Sequence, residues 1–220
     1  GYGSLTKAIA NQEPKKIFAI EKDKKLAVFL KNNFKNYHNI KIINRDVLNI
    51  IKESNLEKNI IVFGNLPFNT STKILSSLIL LRKWPPWYEI LILMFQKDVA
   101  ERITAKTNTK NYGRLSIISN WKLKITKHFD VSRNCFYPKP RVESSVLSFV
   151  PETEYVKFQN SKSLEVVTRV FFSQKRKMIN KPFKKLFSNN IKVLNKLKIN
   201  LNLRPANLSK EIYFKITKEY

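Results

Sequence analysis

Four consecutive residues, Asn65-Leu66-Pro67-Phe68, follow the β-rich run Ile60-Ile61-Val62-Phe63 and precede a helical pattern that starts at Thr72. The oxygen of an Asn side chain and the carbonyl of the next residue can each accept one hydrogen of an exocyclic amine. On adenine that amine is a poor nucleophile, because its lone pair is delocalised into the ring. Two acceptors pull the nitrogen toward tetrahedral geometry and aim the lone pair outward. Pro67 fixes the backbone around the carbonyl. Phe68 offers a face on which an unstacked base can lie. The competing reading is a plain strand-to-helix turn in which Asn65 caps and Pro67 opens the helix.

The tetrapeptide matches the (Asn/Asp/Ser)-Pro-Pro-(Tyr/Phe) class of amino-methyltransferase motif, with Leu in the second place. The expected chemistry is in-line transfer of a methyl group from a sulfonium to the amine, dominated by positioning. Residues for a cofactor stand upstream. Gly1-Tyr2-Gly3-Ser4-Leu5-Thr6 is a Gly-rich turn opening a helix, and Glu21 ends a strand 18 residues after Gly3. An acidic residue at about that distance bonds a ribose hydroxyl pair. Asp46 follows the next strand and is placed to accept from an adenine amino group. Taken singly, each is matched by an ordinary loop carboxylate or turn glycine. Together, recurring in order at strand ends, they favour the functional reading.

The elements that must position these groups alternate. Strand patterns occupy 17–20, 40–43, 60–63 and 90–95, and helical patterns 23–34 and 72–82. That alternation predicts an α/β doubly wound parallel sheet. Lys122 to Val131 and Ser145 to Val150 alternate apolar and polar residues with no helix between them, which predicts an antiparallel edge hairpin. After about Pro151 only helical patterns remain, at 164–172, 178–187, 191–197 and 208–216. Residues 155–220 carry 16 Lys/Arg against 3 Asp/Glu. The expected organisation is a catalytic domain over 1–154 and a small basic helical RNA-binding domain over 155–220.

Charge narrows the partner. The 220 residues hold 42 Lys/Arg and 16 Asp/Glu, a net +26. That is far more than solubility needs and points to nucleic acid, although a Lys- and Asn-rich composition accounts for part of it. Arg114, Lys139, Arg141, Lys175, Arg176 and Lys177 are the candidates for phosphate contacts. A solvated basic face is the competing reading for each, and Lys175-Arg176-Lys177 is the strongest cluster. One cysteine, Cys135, excludes an intrachain disulfide and a cysteine zinc cluster. His38 and His128 lie far apart, so no metal is expected. No apolar run is long enough for a membrane helix.

Beyond these separate signals, several blocks resemble the KsgA-type ribosomal RNA adenine dimethyltransferases. Asn65-Leu66-Pro67-Phe68-Asn69-Thr70-Ser71 is similar to the family's Asn-Leu-Pro-Tyr-Asn-Ile-Ser. Gln96-Lys97-Asp98-Val99 is similar to Gln-Lys-Glu-Val, and Tyr112-Gly113-Arg114-Leu115-Ser116 stands in both. Phe136-Tyr137-Pro138-Lys139-Pro140-Arg141-Val142-Glu143-Ser144 resembles Phe-x-Pro-x-Pro-Lys-Val-Asp-Ser. Phe172-Ser173-Gln174-Lys175-Arg176-Lys177 and Arg204-Pro205-Ala206-Asn207-Leu208-Ser209 resemble two further blocks. The resemblance implies a Rossmann-like methyltransferase fold and S-adenosylmethionine as methyl donor. It implies transfer to two adjacent adenosines near the 3′ end of 16S (small-subunit) rRNA during ribosome biogenesis. Glu21 would hold the cofactor ribose, Asp46 its adenine, and Gly1 and Gly3 the cofactor turn, with Asn65 beside it. Asn65, Leu66, Pro67 and Phe68 would hold the target amine and base. A monomer acting in the cytoplasm on the small ribosomal subunit is expected.

Two departures stand out. Phe68 replaces the commoner Tyr, which keeps the stacking face and loses a hydroxyl. The family also opens with a Gly-Gln-x-Phe-Leu segment and a strand reading Glu-Ile-Gly-Pro-Gly, of which only Gly1 is present. The chain is therefore expected to be an N-terminally truncated form lacking the first, central strand, and weakly active or inactive alone. Three other readings compete. One is an Erm-type enzyme acting on 23S rRNA, which Phe68 favours and the 112–116 and 136–144 blocks disfavour. Another is a non-catalytic RNA-binding ribosome-assembly factor, which intact Glu21, Asp46 and Asn65 disfavour. The weakest is a DNA adenine methyltransferase.

Overall fold

The structure is a computed structural model that describes residues 1–53, 57–188 and 190–220. It comprises two compact units, Gly1–Leu56 and Glu57–Tyr220.

The first unit contains helix α1 (Ser4–Ala10), strand β1 (Ile17–Glu21), helix α2 (Lys24–Asn33), strand β2 (Ile40–Asn44) and helix α3 (Val47–Lys52). The strands pair in parallel, from Ile17 opposite Ile40 to Glu21 opposite Asn44. Asp23 stops β1 and starts α2, its carboxylate accepting from the Leu26 N–H at 2.9 Å. Leu26, Phe29 and Leu30 recur at helical spacing, and Ala27, Leu30 and Phe34 are buried. Gly3 sits at φ 88°, and a Cβ there would fall 2.8 Å from the Leu30 and Phe34 side chains. Only glycine allows this turn to pack on α2.

The second unit carries β3 (Ile60–Asn65), α4 (Ser71–Ile79), β4 (Tyr88–Gln96), α5 (Lys97–Ile103), α6 (Arg114–Ser119), β5 (Leu123–Val131) and β6 (Ser144–Pro151). It continues with α7 (Ser163–Phe171), α8 (Asn180–Phe187), α9 (Ile191–Leu197) and α10 (Lys210–Glu219). Its sheet has the order β3-β4-β6-β5. β3 and β4 are parallel, and β6 is antiparallel to both β4 and β5. The late hairpin thus lies at the sheet edge, as the uninterrupted alternation predicts. Leu91, Leu93 and Phe95 of β4 and Leu147 and Phe149 of β6 are buried, as are Leu75, Leu78 and Ile79 of α4. Each such side chain contributes about 1.5–3 kcal/mol by leaving water. Leu164, Val167 and Phe171 of α7 are buried, as are Tyr213 and Ile216 of α10, and Phe172 stacks on Tyr213 at 5.6 Å.

Three short helices, α3, α5 and α6, are not legible in the sequence. Six or seven residues give under two turns of periodicity. In α6 the run Ser116–Ser119 is buried on every side, so no polar face marks it. Lys122, just before β5, is 3% exposed. Its ammonium lies 4.2 Å from the Trp121 ring centroid, 4.7 Å from Trp84 and 5.0 Å from Tyr155. The Trp84 indole donates to the Glu152 carbonyl at 2.8 Å, which ties the Trp84-Pro85-Pro86-Trp87 loop to the end of β6. Among the described residues no helix is long and apolar enough to cross a membrane.

Candidate active site

In parallel α/β units, ligands bind at the carboxyl ends of the strands. In the first unit that end collects all four upstream candidates. Glu21 closes β1 beside Asn44 of β2, whose side-chain amide donates to the Glu21 carbonyl at 2.9 Å and to the Lys22 carbonyl at 3.1 Å. One Glu21 oxygen accepts from the Gly1 ammonium at 2.6 Å and the other from the Asp23 N–H at 2.9 Å. Burial pushes the Glu21 carboxyl up. The ammonium, with the Asp23 and Lys22 amides, outweighs it and leaves the group below its ordinary value. Asp46 caps α3, with Oδ1 accepting from the Leu48 N–H and Oδ2 paired with the Lys22 ammonium, both at 2.9 Å. Gly1, Glu21, Lys22 and Asp46 thus form a linked polar row, with Gly3 shaping the turn above it. Lys22 is a member that the sequence motifs do not mark.

In the second unit, Asn65 ends β3 opposite Met94 of β4. Its neighbour Gly64 is held by close packing: a Cβ there would meet Leu93 at 2.8 Å and Leu66 at 2.9 Å. After Asn65 the chain turns into α4. The Pro67 carbonyl accepts from the Thr70 and Ser71 amides, both at 3.0 Å, and the Phe68 carbonyl from the Ser71 hydroxyl at 3.1 Å. Among the described residues, no hydrogen bond reaches the Asn65 side chain or the Leu66 carbonyl. The two acceptors that an amine would need are therefore unclaimed, while the two carbonyls that follow are consumed by the turn. Phe68 keeps 37% of its surface exposed.

The basic candidates fall into two places. Arg114, at the start of α6, and Lys175 line one cleft of about 180 Å³ together with Arg102, Asn111, Tyr112 and Phe172. Lys175 donates to the Lys110 carbonyl at 2.6 Å. Burial, then the charge of Arg102, holds its ammonium below the ordinary value. Arg176 and Lys177 point to solvent. Arg102 belongs to this cluster although no charge run marks it in the sequence. Lys139 and Arg141 lie exposed in the β5–β6 connection. Ion pairs brace both ends of that connection: Lys127 with Asp130 at 2.7 Å, and Lys97 with Glu143 at 2.7 Å and Asp130 at 3.5 Å. The Lys127 hydrogen bond, then that of Ser145, draws the Asp130 carboxyl down to about 2. His128 bonds the Ser148 hydroxyl at 2.8 Å, and Cys135 is exposed. Among the described residues no cluster of three His, Cys, Asp or Glu is placed to hold a metal ion.

The family model of ribosomal RNA adenine dimethylase matches residues 1–220. Ribosomal RNA small subunit methyltransferase A of Pelagibacter ubique (strain HTCC1062) is 47% identical over 220 residues, covering 100% of this chain and 83% of that protein. The methyltransferase of the same name from Malacoplasma penetrans (strain HF-2) is 38% identical over 219 residues, covering 98% and 77%. Among solved structures, a dimethyladenosine transferase from Plasmodium falciparum superposes with a TM-score of 0.79 at 24% identity, over 98% of this chain and 86% of that one. The 23S rRNA methyltransferase ErmE does so with a TM-score of 0.68 at 19% identity, over 99% and 86%. These likenesses identify the fold as the Rossmann-like α/β fold of methyltransferases. With a family match along its whole length and relatives well above 30% identity, the chain belongs to the ribosomal RNA adenine dimethylase family.

Proposed function

We propose that the protein converts two adjacent adenosines near the 3′ end of 16S rRNA to N6,N6-dimethyladenosine, acting as a monomer on the small ribosomal subunit in the cytoplasm. The observation that carries this reading is the pair of unclaimed acceptors, the Asn65 side chain and the Leu66 carbonyl, at the end of β3. S-adenosylmethionine supplies a methyl group on a positively charged sulfur. The donor set fits its nucleoside: Glu21 offers two carboxylate oxygens to a ribose hydroxyl pair, and Asp46 offers an acceptor to an adenine amino group. Both stand at strand ends beside the turn that Gly1 and Gly3 form.

The residues around the target amine orient it. Asn65 and Leu66 accept its two hydrogens and direct the lone pair. Pro67 holds the Leu66 carbonyl in place through a turn anchored by Thr70 and Ser71. Phe68 stacks on the flipped base. After one methyl group is on the nitrogen, a single hydrogen remains, and one acceptor suffices to aim the second attack. Positioning of this kind accounts for most of the rate in a reaction that needs no Lewis acid. Arg114, Lys139, Arg141, Lys175, Arg176 and Lys177 contact phosphates, and the basic helical domain 155–220 supplies the last three.

The test uses the 220-residue chain and, in parallel, a fusion that adds the front segment of the Pelagibacter ubique relative. Each is incubated with labelled S-adenosylmethionine and unmethylated small subunits, or with naked large-subunit RNA. RNA digestion and mass spectrometry then identify the product. Dimethyladenosine in small-subunit RNA, abolished by Asn65→Ala, is the expected result. Label in large-subunit RNA alone would reassign the substrate. RNA binding without transfer would leave an assembly factor.

A further inference from the structure

Tyr137 is 102% exposed, and it is the most exposed large hydrophobic side chain among the described residues. It lies in the connection between β5 and β6, where the adjacent Phe136 is partly buried. An aromatic ring left wholly in water gains nothing from burial; its surroundings decide what it can bind. The connection is not slack. Ser132 accepts from the Asn134 N–H at 3.3 Å, a one-turn helix spans Arg133–Cys135, and the Glu143 carbonyl accepts from the Lys97 N–H at 2.9 Å. The ring is therefore held out on a braced loop.

Its neighbours define the chemistry. Arg133, Lys139 and Arg141 are exposed in the same loop, and among the described residues none of the three is in an ion pair. The nearby carboxylates, Asp130 and Glu143, are already neutralised by Lys97 and Lys127. An exposed ring among unneutralised cations suits a strand of nucleotides, with the base on the ring and phosphates on the cations. An acidic peptide would match the charge and leave the ring without a flat partner.

The register places the loop. Asn65 pairs with Met94, Met94 with Val146, and Gln96 with Ser144. The loop thus enters β6 at the same end of the sheet from which Asn65-Leu66-Pro67-Phe68 leaves β3, two strand spacings or about 10 Å away.

We infer that Tyr137 is a stacking platform for the base of a nucleotide flanking the target adenosine, with Arg133, Lys139 and Arg141 holding the adjoining phosphates. The inference rests on the proposed rRNA substrate. It makes Tyr137 a positioning residue that fixes which adenosine reaches Asn65.

Tyr137→Ala and Tyr137→Phe are compared with the parent for binding to unmethylated small subunits, by competition at fixed salt, and for KM against kcat in methyl transfer. The exposed site makes both variants fold like the parent, which circular dichroism checks. Tyr137→Ala is expected to weaken binding ~10-fold, the scale of a single base stack, and to raise KM more than it lowers kcat. Tyr137→Phe is expected to restore parental binding. Parental binding by Tyr137→Ala overturns the inference. Equal loss in both variants also overturns it, since the hydroxyl and not the ring would then be the contact. Failure of the substrate assignment shows itself separately, as a parent that makes no dimethyladenosine in small-subunit RNA.

Discussion

The two candidate regions, one in each unit, differ in how their acceptors are held. At the strand ends of the first unit, Glu21 accepts from the Asp23 N–H and Asp46 pairs with Lys22. At the end of β3, the Asn65 amide and the Leu66 carbonyl have no hydrogen-bond partner among the described residues. The contrast is physical. In a chain of net +26, a carboxylate at a rim finds a cation, because pairing costs little desolvation there. The Asn65 amide oxygen and the Leu66 carbonyl carry no formal charge, attract a cation less strongly, and hold none among the described residues. Ligand binding at the first unit's strand ends must therefore compete with a partner such as Lys22.

The largest expected effect tests the neutral region. Asn65→Ala removes one acceptor from an amine that needs two, and kcat should fall about 10²–10³-fold, the cost of deleting one positioned electrostatic partner. S-adenosylmethionine affinity, measured by calorimetry, should change little. A variant that loses cofactor affinity and keeps kcat would show that Asn65 belongs to the other region.

The charged region is tested next. Glu21→Gln keeps the shape and removes the charge, so the carboxylate can no longer accept from two hydroxyls. S-adenosylmethionine affinity should fall about 10-fold, the worth of one charge-assisted hydrogen bond. Lys22→Met should act oppositely, raising affinity a few-fold by removing one partner that competes for Asp46. If Lys22→Met weakens binding, the ion pair organises the site and does not compete with the ligand.

These differences mark what can be read from a sequence. Strands β1, β3 and β4 are legible as uninterrupted runs of four or more apolar residues, β2 as Ile40, Ile42 and Ile43, and helices α2 and α4 as apolar residues at helical spacing. The placing of Glu21 and Asn65 at the ends of strands, and of Asp46 just past one, is legible for the same reason. The Lys22–Asp46 pair, the turning of Arg102 toward Lys175 and the projection of Tyr137 are not. Each depends on side-chain directions that only packing decides, and a single Lys, Arg or Tyr looks the same whichever way it faces.

Lys122 extends the comparison to a cation without a carboxylate. Three aromatic rings surround it, and burial lowers its ammonium to about 8. The folded state then binds fewer protons than the unfolded state between pH 8 and about 10.5. Stability should accordingly rise with pH across that window, by about 1 kcal/mol per unit. Lys122→Met should flatten the rise, as followed by urea unfolding at pH 8, 9 and 10. The difference between the two proteins is the measure. Burial raises the Tyr88, Tyr112 and Tyr213 hydroxyls, and their opposite trend near pH 10 is common to both. A parallel pair of curves would mean that the rings, through cation–π attraction, keep Lys122 charged.

The smallest effect concerns Lys175, Arg176 and Lys177, where committed and free groups stand side by side. Lys175 is half-buried and donates a hydrogen bond to the Lys110 carbonyl, whereas Arg176 and Lys177 face solvent. A residue that binds one phosphate releases about one counterion, so its loss lowers the slope of log affinity against log salt by about 1. Arg176→Gln and Lys177→Gln should each do so on small-subunit RNA. Lys175→Met should lower the slope by less and also cost about 1 kcal/mol of stability, because the Lys110 carbonyl loses its donor. If instead all three slopes fall alike, Lys175 exchanges the carbonyl for a phosphate on binding. Partners seen in the free protein would then not predict which cations meet RNA, and the same exchange would be expected of Lys22 and Asp46 when the cofactor arrives.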